Sequence, residues 1–130
     1  MKKSILVTIA VAAGLAGGAV TTGTSAQAAT WHQGMPKALR GVWHTKKIKF
    51  FGGVRFTIRI GKNYSHAAVT DPDVLNHTRY RYLGHHDYKV NGYEPIYSKK
   101  RTNRYFKWVS KHHIVYSDFL KKGYGASFYR

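Results

Sequence analysis

The sequence predicts an all-β domain, an antiparallel meander closing into a small eight- or nine-stranded barrel. Three observations lead there. Apolar residues recur with a period of two, most clearly where Val54, Phe56, Ile58 and Ile60 alternate with Arg55, Thr57 and Arg59. Short apolar runs are parted by tight-turn residues, and no later stretch reads as a helix of about three turns. All ten Tyr, six Phe and three Trp fall after residue 28, an ample supply for one small core.

Residues 1–28 stand outside that fold. Lys2 and Lys3 form a short positive segment, Ile5 to Val20 is an apolar run of sixteen residues, and Ala26-Gln27-Ala28 is a small-x-small cleavage site. This is the pattern of a secretory signal peptide cut after Ala28, and the run is shorter than the about 20 apolar residues of a membrane span. The expectation is a secreted, extracellular product that forms a single domain over residues 29–130, without a transmembrane anchor and retained at the cell wall by charge. The chain has no cysteine, so the core alone must stabilise it.

The elements follow in order. Ile48 and Phe50 alternate with Lys47 and Lys49 and lead into the first hairpin. A three-residue loop, Phe51-Gly52-Gly53, pairs Phe50 with Val54 and Ile48 with Phe56, and sets Lys49 opposite Arg55. That register keeps each face pure, whereas a two-residue Gly52-Gly53 loop mixes them. Gly61-Lys62-Asn63 makes the next turn, and Thr70 to Asn76 reads as a non-hairpin loop. Asn91-Gly92 reads as a two-residue turn that places Lys89 opposite Glu94. Pro95 marks a short or edge strand, Ser110-Lys111 parts the next two strands, and Lys121-Lys122-Gly123 precedes a last strand over 124–129.

Met35 to Trp43, MPKALRGVW, resembles the opening of lipocalin-like (calycin) barrels, where a short helical turn leads into Gly-x-Trp on the first strand. The resemblance implies that Gly41 and Trp43 close one end of the barrel. It also implies an arginine packed over the tryptophan, a place for Arg130 or Arg104. A carrier of this kind would hold a small apolar ligand in an interior lined by Val54, Phe56 and Ile58. The same stretch is similar to small secreted proteins of lactic-acid bacteria that begin with Pro-x-x-Leu-Arg-Gly-x-Trp and have no assigned activity. In the register above, Trp43 falls on the lysine face, so the resemblance requires a bulge between Trp43 and Ile48.

Charge is the most informative feature for function. Removing Lys2 and Lys3 from the 22 Lys and Arg leaves twenty cations against five acids. Lys47, Lys49, Arg55 and Arg59 project from one pair of strands, and Arg79 and Arg81 alternate with Tyr80 and Tyr82. Lys99, Lys100, Arg101 and Arg104 form a second cluster, with Lys107 beyond it. So few acids cannot neutralise these charges internally, and like charges facing one another across strands destabilise the sheet. A polyanion would relieve the repulsion and release counterions, which makes binding salt-sensitive. Tyr interleaved with Arg also suits single-stranded nucleic acid, a reading that the secretion signal disfavours. Outside a cell, the polyanions with matching chemistry are cell-wall polyphosphates such as teichoic acids, acidic polysaccharides, anionic lipid headgroups and stray DNA.

Eight histidines are present, but His85-His86-Asp87 and His112-His113 have no metal-ligand spacing, so no metal or cofactor is expected. Near a reference pKa of about 6.5, acidification adds positive charge and tightens anion binding. No hydrolase, zinc-protease or phosphate-loop motif appears, which argues for a binding protein and against an enzyme. The sequence thus points to a secreted, non-catalytic barrel whose basic face binds anionic cell-envelope polymers. The alternative is a lipocalin-like carrier of a small apolar ligand. A cationic membrane-active protein is the third class, disfavoured because no amphipathic helix is visible.

Overall fold

The computed structural model describes residues 30–68, 70–118 and 125–130. The expected signal peptide and the Lys121-Lys122-Gly123 turn lie outside the described residues. Nine strands follow in order: β1 (His32–Gln33), β2 (Gly41–His44), β3 (Thr57–Ile60), β4 (Tyr64–Ala68), β5 (Pro72–Gly84), β6 (Asp87–Glu94), β7 (Lys100–Ser110), β8 (His113–Ser117) and β9 (Ala126–Tyr129). Strands β2 to β9 pair antiparallel with their neighbours, and the β9–β2 pairing closes a barrel of eight. Strand β1 is an extra strand on β5. The described helical segments are two 3₁₀ turns, Lys37–Leu39 and Lys49–Phe51. No described helix is long and apolar enough to cross a membrane.

The interior is filled by alternate residues of the strands. Trp43, Ile58, Leu75, Val90, Phe106, Ile114 and Phe128 are all fully buried, joined by Met35 and Leu39 from the segment before β2. Tyr80 and Phe106 are buried as well, while Phe56 and Tyr116 pack against the core from its edge. Burial, with Tyr82 and Tyr80 close by, pushes the Tyr88 hydroxyl up to about 12.

Residues 34–40 cross one end of the barrel. Gly34 N–H donates to Thr78 O and Met35 N–H to Lys62 O, each at 2.8 Å, which ties the crossing to β5 and to the β3–β4 turn. The Trp43 indole N–H donates to Leu39 O at 2.8 Å, and the Arg130 guanidinium lies 4.0 Å over the Trp43 ring. This is the tryptophan end. The β2–β3, β4–β5 and β6–β7 connections lie at the far end.

The first hairpin departs from the expected register. Ile48 pairs with Val54, and Lys49–Phe51 coils into a 3₁₀ turn instead of extending. His44 pairs with Thr57, so four residue steps on one side span three on the other. The extra residue slips the register by one and swings Trp43 from the lysine face to the core, opposite Ile58. Thr45 fixes the irregularity: its N–H donates to Phe56 O and its hydroxyl accepts from Phe56 N–H, both at 2.9 Å.

Three further expectations are corrected. Asn91-Gly92 lies within β6 and makes no turn. Gly92 is there because β5 crosses close by: a Cβ at Gly92 would sit 2.9 Å from Leu75 Cβ and 3.0 Å from Thr78 Cγ2. The turn that joins β5 to β6 is His85-His86, both at positive φ (52° and 65°), so Lys89 pairs with Arg81 and Glu94 with Lys100. Residues 72–76, expected in a loop, are the first part of β5, and Pro95 follows the last residue of β6.

Candidate functional site

Arg104 and Lys107 apart, the basic residues singled out in the sequence fall into four places. Arg79 and Arg81 lie on the outer face of β5, their intervening Tyr80 turned inward. Lys47, Lys49 and Arg55 are exposed on the β2–β3 connection at the far end. Arg59 is exposed on the outer face of β3, opposite Val42 and His66. Lys99 and Lys100 are exposed where the β6–β7 turn enters β7, with Arg101 next on the strand.

Arg104 is elsewhere. It sits opposite the buried Val90 and points inward, where Nε and Nη2 each donate to the Asp73 carboxylate at 2.8 Å. Asp118 Oδ1 stands 3.3 Å from the same Nε. Burial works to lower the Arg104 pKa, but the Asp73 and Asp118 carboxylates outweigh it and raise it. This cation is neutralised by the protein and is not part of the outer face.

The best-organised group spans β5, β6 and β7. Arg81 pairs with Lys89, which pairs with Tyr105, and the next row is Arg79, Asn91 and Asn103. Arg101 follows opposite Tyr93. Arg79 and Arg101 are held by neutral partners. Asn91 Oδ1 accepts from Arg79 Nε at 3.2 Å and from Arg101 Nε at 2.6 Å, while its amide donates to Asn103 Oδ1 at 2.9 Å. Arg101 Nη2 reaches across to His77 O at 2.8 Å. The Arg79 and Arg81 guanidinium carbons lie 4.7 Å and 4.8 Å from the centroid of Trp31, just before β1. His32 packs on Tyr80 beneath them, and burial lowers its pKa.

Most acids are committed elsewhere. Asp73 and Asp118 face Arg104, and Asp87 pairs with Lys107 at 3.4 Å. The Glu94 carboxylate closes its own turn, accepting from the N–H groups of Ile96, Tyr97 and Ser98. Amide oxygens and backbone carbonyls therefore orient the Arg79 and Arg101 guanidiniums without cancelling their charge. Such an array can take phosphate or carboxylate oxygens in the forked geometry that Arg favours, with Tyr93, Tyr105 and Trp31 as ring surfaces beside them.

Sequence reading missed Trp31, Lys89 and Asn91. Lys89 lies two residues before Asn91 with period-two spacing, the one signal that could have placed both on a face. The turn reading of Asn91-Gly92 concealed it. Of the proposed interior residues, Ile58 is buried, Phe56 is half-buried, and Val54 is exposed at the far end. Gly41 lies under Arg130 beside Trp43. Among the described residues, no three His, Asp or Glu side chains gather as a metal site would need.

No protein-family model matches the chain, and neither a curated protein nor a solved structure does.

Proposed function

We propose that this chain is a secreted, non-catalytic, lipocalin-like β-barrel protein that binds anionic cell-envelope polymers, teichoic-acid-like or acidic polysaccharide, on the outer face of β5–β7. The observation that carries the reading is Asn91, a neutral side chain that orients Arg79 and Arg101 together and leaves their charge uncompensated. A repeating polyanion supplies what the face lacks, several negative groups at once. Its counterion release makes multiple weak contacts add up. Tyr93 and Tyr105 suit the sugar rings of such a polymer. Arg59, Lys47 and Lys49 extend the positive field around the barrel without belonging to the organised array. The carrier alternative is less well supported, because Trp43, Ile58, Phe106 and Phe128 occupy the space a ligand would need.

The experiment is binding of purified protein to Gram-positive cell walls, with and without teichoic acid, over a salt series. Binding should depend on the polymer and fall steeply with salt. Arg79→Ala with Arg81→Ala should weaken it and flatten the slope of log affinity against log salt by roughly one per lost phosphate contact. Salt-insensitive binding, or a double variant that binds as the parent does, would return attention to the barrel interior.

A further inference from the structure

The far end of the barrel carries a second, different surface. On the β2–β3 connection Phe50 is 88% exposed, Val54 47% and Phe51 43%. On the β6–β7 connection Tyr97 is 64% exposed and Ile96 40%. Each tip is rimmed by exposed cations, Lys46, Lys47, Lys49 and Arg55 at the first and Lys99 and Lys100 at the second. Large apolar side chains displayed in this way mark an interaction surface.

Both tips are held in shape. The Ile48–Val54 bridge and the 3₁₀ turn fix the first, where Phe50 packs edge-on against Phe51 at 5.0 Å and Phe51 meets Phe56 at 5.5 Å. The second is tied by the Glu94 carboxylate, which accepts from Ile96 N–H at 2.8 Å and Tyr97 N–H at 2.9 Å. Strand direction sets both tips at the same end. In the ring of eight strands the two connections are four strands apart, which is half the circumference.

We infer that this end docks on an anionic lipid surface, with Phe50 and Tyr97 entering the boundary between headgroups and acyl chains and the lysines meeting phosphates. Two considerations select a bilayer. The apolar side chains lie on opposite sides of the barrel end, so no single groove joins them among the described residues, whereas a planar partner meets both tips together. Cations surround both tips, so a second copy of this chain would be repelled and the partner must be negative at its surface and apolar beneath. Of the acids at this end, Asp73 and Asp118 face Arg104 and Glu94 is closed in its turn, which leaves Asp71 as a minor opposing charge. Docking of this kind combines buried apolar area with attraction to anionic lipid, and two small tips make it reversible. It needs no amphipathic helix, the feature whose absence disfavours a membrane-active protein in the sequence.

The test is co-flotation of purified protein with vesicles of mixed phosphatidylglycerol and phosphatidylcholine, and with phosphatidylcholine alone. The protein should float with the anionic vesicles only. Phe50→Ser, at a side chain exposed enough to leave the fold intact, should weaken flotation about tenfold. Phe50→Trp should keep binding and show a blue-shifted emission component that the parent lacks. Arg79→Ala with Arg81→Ala should float as the parent does, since that face points sideways, and Phe50→Ser should bind cell walls as the parent does. No flotation, equal flotation with uncharged vesicles, or a Phe50→Ser protein that floats unchanged would each overturn the inference.

Discussion

The guanidinium of Arg130 lies 4.0 Å over the ring of Trp43, and its Nε donates to Lys111 O at 2.8 Å while Nη1 donates to Arg40 O. One side chain thus ties β9 to the residue before β2 and to the β7–β8 turn, over a tryptophan that is itself fully buried. Arg130→Ala should cost about 2 kcal/mol, from an exposed cation–π contact over a buried ring and two charge-assisted hydrogen bonds. Arg130→Lys should recover only part, because a lysine cannot stack and bond in two directions. Gly41 is coupled to this pair. It holds φ +133°, and a Cβ there would sit 2.7 Å from Arg130 Nη1. Gly41→Ala should therefore cost roughly 1–3 kcal/mol, and less in the Arg130→Ala background. Urea unfolding of the four-member cycle measures the coupling, and additive costs would mean that Gly41 acts through its backbone alone.

Asn91→Asp should separate stability from binding. A carboxylate at this position would pair with Arg79 and Arg101, which now share the Asn91 oxygen at 3.2 Å and 2.6 Å. Half-exposed pairs of this kind add about 0.5 kcal/mol, so the urea midpoint should rise slightly. Polymer binding should fall several-fold, because the new acid cancels the charge that the amide leaves available. Unchanged wall binding in this variant would remove the β5–β7 face from the account of function.

Arg104 should behave in the opposite way to Arg79 and Arg81. Its two 2.8 Å bonds to Asp73 join β7 to β5 across the barrel interior. Breaking a fully buried pair costs about 3–5 kcal/mol. Both partners here retain some solvent, 17% and 16% of the side-chain surface, so Asp73→Ala should cost roughly 2 kcal/mol. Arg104→Gln should likewise lower the urea midpoint yet leave the salt slope of wall binding as in the parent. A flattened slope would place Arg104 among the polymer contacts after all.

Much of the barrel was legible in the sequence, because a sheet with one wet face writes itself as alternation. The strand from Thr57 to Ile60, the inward turn of Tyr80 and Phe106, and the turn at Gly61 all follow from it. What alternation does not carry is a slip of one residue. Thr45 takes the Phe56 N–H with its hydroxyl, and from there toward the hairpin tip the faces exchange. Nor does it distinguish a glycine that bends the chain from one that lets another strand pass, which is why Gly92 reads as a turn and Gly84-His85-His86 does not. The inward aim of Arg104 depends on Asp73, 31 residues away in sequence, and is visible only once β5 and β7 share an interior. The organised basic face was half legible: Arg79, Arg81 and Arg101 follow from alternation and charge, while Asn91, which orients two of them, follows from neither.

Glu94 should give the fold an acid-sensitive limb. Partial desolvation pushes its carboxyl pKa up, but the N–H groups of Ser98, Ile96 and Tyr97 and the Ser98 hydroxyl outweigh it and hold the carboxyl at about 2, against 4.5 for the ordinary group. Because the folded value lies below the unfolded one, the unfolded chain takes up the proton first as pH falls. The stabilisation is therefore complete above about 4.5 and is lost progressively as pH drops from there toward about 2. Glu94→Gln should lower stability at neutral pH, and its deficit relative to the parent should shrink across that window. Urea midpoints of the two proteins on a common pH series isolate this one group, since the other carboxylates titrate in both. The tip that displays Ile96 and Tyr97 is built on the same bonds, so vesicle binding by Glu94→Gln should weaken at neutral pH together with stability. A stability deficit that stays constant from neutral pH to pH about 2 would show that the turn does not depend on the ionised carboxylate.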